Sequence, residues 1–161
     1  LDIYEISQIL WSAIGINKYN ERTVPSAGAI YPLEIYLVVN NVENLEKGIY
    51  KYDAENNEIL KISDKDVSKD LYKSCLYQEY VRDAPAVVVI AGNFEKTKRR
   101  YGERGIRYVY MEAGHVVQNV YLQCVSLNLG TVVIGAFYDE EVNKILNINE
   151  KVIALMPIGK I

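Results

Sequence analysis

Three stretches of the chain hold residues whose types and spacing suit chemistry. The first is Pro25-Ser26-Ala27-Gly28-Ala29. Small side chains let a backbone approach a ligand closely, and a glycine such as Gly28 takes a positive φ at low cost. Backbone N–H groups and the Ser26 hydroxyl can hold an anion or a polyol chain. The same residues also suit a plain tight turn between a helix and a strand. The second stretch begins at Arg100-Tyr101 and continues through Gly102-Glu103-Arg104-Gly105 into an apolar helical pattern. On that pattern Gly114, His115, Gln118 and Asn119 form a small, polar stripe. A lone helical histidine is more often a packing residue than a catalyst, and no Ser, Asp or Cys motif accompanies His115. The third stretch, Thr131 to Phe137, is a β-branched run entering small residues. The same residues also suit a strand end packed under a helix.

Helices and strands must position these stretches. Asp2 and Glu5 have capping-box spacing, and Ile3, Ile6, Ile9, Leu10 and Ala13 recur at helical spacing up to Gly15. Asn17 to Arg22 reads as a loop. Glu34 to Asn40 reads as a strand. Gly48–Tyr52 and Glu58–Ile62 flank the turn-rich Asp53 to Asn57 and read as a hairpin. A short helix is expected from about Asp66 to Leu76. Ala86 to Ala91 is apolar without alternation, as in a central strand covered on both faces. A long helix is expected from about Gly105 to Asn128. Its Val116–Val125 section is apolar nearly all round, so burial in the domain or in an oligomer is expected. Thr131–Ile134 reads as a strand, Asp139–Leu146 as a helix and Val152–Ile158 as a last strand. The basic cluster Lys96, Lys98, Arg99 and Arg100 reads as a solvated helix start or loop. One α+β domain spanning residues 1–161 is expected, with a mixed, mostly antiparallel sheet flanked by helices.

Composition excludes several classes of function. A chain of 161 residues with net charge −3 has no general affinity for nucleic acid or anionic membranes. Its apolar runs are far shorter than a membrane span. One histidine and two cysteines, Cys75 and Cys124, do not make a structural zinc site. No metal is expected. The cysteines, far apart in sequence, read as buried thiols of a cytoplasmic protein. No G-x-G-x-x-G is present, so a nicotinamide would bind transiently and not in a Rossmann site.

Thr23 to Glu34 (T-V-P-S-A-G-A-I-Y-P-L-E) and Tyr101 to Asn119 (Y-G-E-R-G-I-R-Y-V-Y-M-E-A-G-H-V-V-Q-N) together resemble the nitroreductase superfamily of flavin enzymes. Within it they are most similar to the SagB-type dehydrogenases. The resemblance runs from about Leu1 to the end. It implies an FMN-dependent oxidoreductase with the nitroreductase-like fold. Such an enzyme would be a homodimer moving hydride or electrons between NAD(P)H and a small organic acceptor such as a nitro compound or quinone. An alternative is a SagB-like dehydrogenase that oxidises peptide azolines to azoles, and another is a non-catalytic flavin-binding protein.

In the superfamily the segment matching Pro25, Ser26, Ala27 and Gly28 contacts FMN, often that of the other subunit. The segment matching Ile134, Gly135 and Ala136 lies along the flavin ring, with a backbone N–H near N5. A Lys-Tyr pair with a catalytic role in azoline dehydrogenases is matched by Arg100-Tyr101. Arginine does not replace lysine as a base, because its guanidinium stays charged. The family opens with an Arg-rich strand that binds the FMN phosphate, and this chain starts at Leu1 without it. Either the chain is a trimmed fragment or the phosphate is held otherwise. The basic residues near family-matching segments are Arg22, Arg104, Arg107 and Lys160, of which Arg22 and Lys160 are the cofactor-binding candidates.

Overall fold

A computed structural model describes residues 1–161. Helix α1 (Ile3–Ile14) starts at a complete capping box: Glu5 N–H donates to Asp2 at 2.8 Å, and Asp2 N–H donates to Glu5 at 2.9 Å. A one-turn 3-10 helix (Ala27–Ala29) then leads into β1 (Leu33–Val39), β2 (Gly48–Asp53) and β3 (Glu58–Ser63). Helices α2 (Ser68–Ser74) and α3 (Glu79–Asp83) precede β4 (Ala86–Gly92). Helices α4 (Phe94–Tyr101) and α5 (Arg104–Ser126) follow, then β5 (Leu129–Thr131), α6 (Asp139–Leu146) and β6 (Lys151–Lys160).

The strands form one six-stranded sheet in the order β3-β2-β1-β4-β6-β5. Every neighbouring pair is antiparallel, the majority pattern expected from the sequence. Central β4 is buried along its whole length. Its Ala86, Val88 and Ile90 enter one hydrophobic cluster with α1 and α5, while Val87, Val89 and Ala91 enter a second with α2, α3 and α6. Period-two alternation in a strand covered on both sides thus gives two cores. Cys124 belongs to the first cluster and Cys75 to the second. The sheet separates the two free thiols, and burial pushes both up to about 11.

Three readings of the sequence are corrected. The basic cluster lies within α4, a helix capped by the Asn93 side chain on Lys96 N–H. Thr131–Ile134 is not a strand: pairing ends at Thr131, and Ile134 makes a single bridge to Leu155. The exchange of two backbone bonds with Leu155, at 2.8 and 3.0 Å, pins Ile134 while the chain around it leaves the sheet. The helix expected from Asp66 to Leu76 is shorter. Leu76 and Tyr77, both at positive φ (55° and 58°), break it and lead to α3, which the sequence reading missed.

Helix α5 buries Val109, Glu112, Ala113, Val116, Val120 and Cys124 against the chain's own core. Its opposite face carries exposed Met111, His115, Gln118, Leu122 and Val125. Those positions are spaced four and three residues apart, the alternation of a helix–helix seam.

Candidate functional site

The turn before β1 is wound tightly. Gly28, Ala29 and Tyr31 all lie in the left-handed region, at φ 60°, 53° and 50°. That conformation is strained for Ala29 and Tyr31. A hydrogen-bond chain holds it. Tyr31 N–H donates to Ser26 Oγ at 2.9 Å, and Ser26 Oγ lies 2.6 Å from Glu112 Oε2 in α5. The turn also meets the end of α4. Arg100 donates to the Gly28 carbonyl at 3.3 Å. A Cβ at Gly28, which lies at φ 60°, would come within 2.6 Å of Tyr101 Oη and 2.8 Å of Arg100 Nη1, so a larger residue would strain the turn and displace those side-chain ends. The fold therefore brings together Pro25–Gly28 and Arg100–Tyr101, two groups the sequence singled out separately. Tyr101 also packs edge-on against Tyr108 of α5, with ring centroids 5.2 Å apart.

Glu112 is the residue the sequence reading missed. It is 3% exposed, and its Oε1 has no hydrogen-bond partner in the chain. Burial pushes its carboxyl up to about 7, against the opposing pull of the Ser26 bond and the Arg22 charge. The available signal was an acidic residue in register with Val109, Val116 and Val120 on the buried face of an amphipathic helix. Cavities open on both sides of it. One of about 490 Å³ includes Arg22, Tyr31, Lys51 and Lys96, and one of about 250 Å³ includes Pro25, Ala27 and His115.

Arg22 is occupied within the chain. It pairs with Glu55 at 2.6 Å, donates to the Ile14 carbonyl at 3.0 Å and stacks on the Tyr31 ring. His115 is exposed on α5, whereas Asn119 ties α5 to the carbonyls of Ser12 and Thr23, each at 3.0 Å.

Ile134, Gly135 and Ala136 lie in the segment after β5, and the structure does not bring them together with Lys160, which stands at the end of β6. Ile134 packs in the second hydrophobic cluster, across the sheet from the one that receives Val24, just ahead of the Ser26 turn. Neighbouring contacts fix the segment: Val133 N–H donates to Tyr121 Oη at 2.8 Å, and Gln78 donates to the Ala136 carbonyl at 3.0 Å. Gly135 is exposed, and its N–H donates to no group in the chain. Lys160 lines a cavity of about 680 Å³ with Tyr80, Gly130, Thr131 and Ile161. The Thr131 hydroxyl, at that cavity, is buried without a partner. A volume of roughly 300–1,000 Å³ suits a cofactor or small ligand.

The profile of the Nitroreductase family matches residues 4–160. The chain belongs to the nitroreductase family. A nitroreductase-family protein of Methanocaldococcus jannaschii, MJ1384, is 50% identical over 161 residues, which are 99% of this chain and 81% of that protein. The microcin B17-processing protein McbC of Escherichia coli is 29% identical over 83% of this chain, and the match spans only 51% of McbC. Among solved structures, a chain of the E. coli microcin synthetase McbBCD complex with truncated pro-MccB17 bound superposes with a TM-score of 0.88 at 26% identity. That superposition covers 100% of this chain and 64% of the other. The resemblance to the nitroreductase superfamily is thereby borne out, and a microcin-processing protein stands among the chain's relatives. The six-stranded antiparallel sheet flanked by helices is the nitroreductase-like fold. No helix is long and apolar enough to cross a membrane.

Proposed function

We propose that this nitroreductase-family protein is an FMN-dependent oxidoreductase acting between NAD(P)H and a small organic acceptor, such as a nitro compound or quinone. We also propose that it works as a homodimer in which each site draws on both chains. The observation that carries this reading is the division of the candidate residues into two groups. Ser26, Gly28, Arg100 and Tyr101 meet beside α5, while Gly135 follows the Ile134 bridge and Lys160 stands at the end of β6. A second chain docked along the exposed stripe of α5 would bring one group of each chain to the other group of its partner.

The residues fit such a cofactor. Thr131 and the cation Lys160 line a cavity of suitable size, and the Gly135 N–H has no partner within the chain. FMN supplies the hydride and electron transfer when bound. Gly135 would donate to the ring, and Lys160 would take the phosphate. The partner's small-residue turn, with its Ser26, would close over the ring and exclude water. Arg100 would hold a fixed positive charge beside the Tyr101 hydroxyl and orient an electron-rich acceptor.

A second reading, oxidation of peptide azolines to azoles, is favoured by one observation. Arg100-Tyr101 packs directly on the Ser26–Gly28 turn, in the sequence position of the Lys-Tyr pair of azoline dehydrogenases. The test is the absorbance spectrum of the purified protein, with heat-released cofactor identified by chromatography. FMN release and bleaching by NAD(P)H support the proposal. FAD alone, or no cofactor after incubation with FMN, overturns it. Bound FMN that no nicotinamide or acceptor turns over leaves a flavin-binding protein without catalysis.

A further inference from the structure

We infer that Glu112 is a proton-bearing positioning residue. Its carboxyl switches the Ser26 hydroxyl between a bond directed inward and one offered to a ligand in the adjoining cavity. The geometry of the three groups carries this inference, and only the identity of the ligand rests on the flavin reading above.

Ser26 Oγ has one proton and two lone pairs. Tyr31 N–H occupies one lone pair. When Glu112 is ionised it only accepts, so the Ser26 proton is committed to Oε2, 2.6 Å away. When Glu112 carries its proton on Oε2, the same contact runs the other way, and the acid donates to the second lone pair of Ser26. The serine proton is then free and points into the cavity bounded by Pro25, Ala27 and His115. The bond to Tyr31 survives in both arrangements, so the strained turn keeps its shape while its donor changes.

The surroundings allow the acid to hold its proton near neutrality. Oε1 is buried with no partner to stabilise a charge. The cavity on one side brings Arg22 from the loop after α1, Tyr31 of the turn, Glu34 of β1, Lys51, Tyr52 and Asp53 of β2, Glu55 from the β2–β3 turn, and Lys96 from α4. On the other side stand Tyr108 and His115 of α5 itself. Arg22 favours the ionised form, but its guanidinium is shared with Glu55, and burial outweighs it. A ligand that accepts from Ser26 favours protonated Glu112, so above the midpoint its binding takes up one proton.

The test follows the Tyr31 amide by NMR in the intact protein, between about pH 5.5 and 8.5. A midpoint near 7 is expected in the wild type, unchanged in His115→Gln (histidine as a type titrates in the same range). The midpoint should vanish in Glu112→Gln, whose amide can donate to Ser26 at every pH. Ser26→Ala, a smaller change, should also uncouple the Tyr31 amide from Glu112. A flat Tyr31 profile in the wild type, or a midpoint that survives Glu112→Gln or Ser26→Ala, overturns the inference. FMN affinity is the second readout. It should fall about tenfold per pH unit above the midpoint in the wild type and be level in Glu112→Gln. FMN bound equally at all pH values overturns the release of Ser26. FMN bound at no pH, with the Tyr31 midpoint present, supports the switch and removes the flavin reading.

Discussion

Arg100 and Tyr101 touch the Gly28 turn from the end of α4, and the contact is polar and partly exposed. Removing the Arg100 side chain should therefore cost little stability. If the guanidinium orients an acceptor, Arg100→Ala should lower turnover about tenfold or more, since each 1.4 kcal/mol of lost transition-state interaction is a factor of ten. Flavin content should be largely kept, because Gly135 and Lys160 stand elsewhere. Arg100→Lys separates the two readings. It should raise activity on an azoline peptide, where lysine can accept a proton, and leave a nitroaromatic no better served. Steady-state assays of both variants check this, and unchanged kinetics in both would return Arg100 to the solvated basic cluster.

Glu112 predicts a pH dependence of stability at the same scale. Its carboxyl releases its proton at about 7 in the folded chain and near the ordinary 4.5 when unfolded. Between those values the folded state binds more protons, so stability falls as pH rises through that window and levels off above it. The full shift corresponds to on the order of 3 kcal/mol. Thermal melts of the wild type should rise on acidification toward pH 5 by several degrees, and those of Glu112→Gln should not. A wild type that loses stability across the same range would show that Glu112 is not the group holding the proton.

At the scale of elements, the sequence was legible wherever the physics is local. The Asp2–Glu5 capping box formed with both of its bonds, and the run Ala86 to Ala91 became the strand buried on both faces. Short helices were harder to read, because α3 and α4 lack the repeated apolar pattern that marked α1. The acidic residue on the buried face of α5 was legible at Glu112, but its pairing with Ser26 was not, because a partner 86 residues away leaves no spacing signal. The Val116–Val125 section is apolar nearly all round in sequence, and its two faces have different surroundings. Val120 belongs to the chain's own core, whereas Leu122 is 61% and Val125 is 71% exposed. Val120→Glu should thus unfold the chain by burying an unpaired charge. Leu122→Glu combined with Val125→Glu should leave it folded but monomeric. Light scattering and circular dichroism distinguish these outcomes. A double variant that keeps the mass of the wild type would sink the α5 interface.

For the whole molecule, the question is whether one chain can complete a site. Ser26, Gly28, Arg100 and Tyr101 form one group, and the proposed function takes Gly135 and Lys160 as the other. If each site joins one group from each chain, defects in different groups should complement. Arg100→Ala disables the first group. Gly135→Pro disables the second by removing the N–H that has no other partner in the chain. Each variant homodimer then has two defective sites. A mixed dimer has one site with both defects and one with none. Random exchange of equal amounts makes about half the dimers mixed, so activity should return to roughly a quarter of the wild-type value. Native mass spectrometry would verify that chains have exchanged, and the assay would follow NAD(P)H oxidation with a quinone. Restoration to that level requires a shared site. An exchanged mixture no more active than its parents would mean that each chain builds its site alone, with the two groups joined by a movement within the chain.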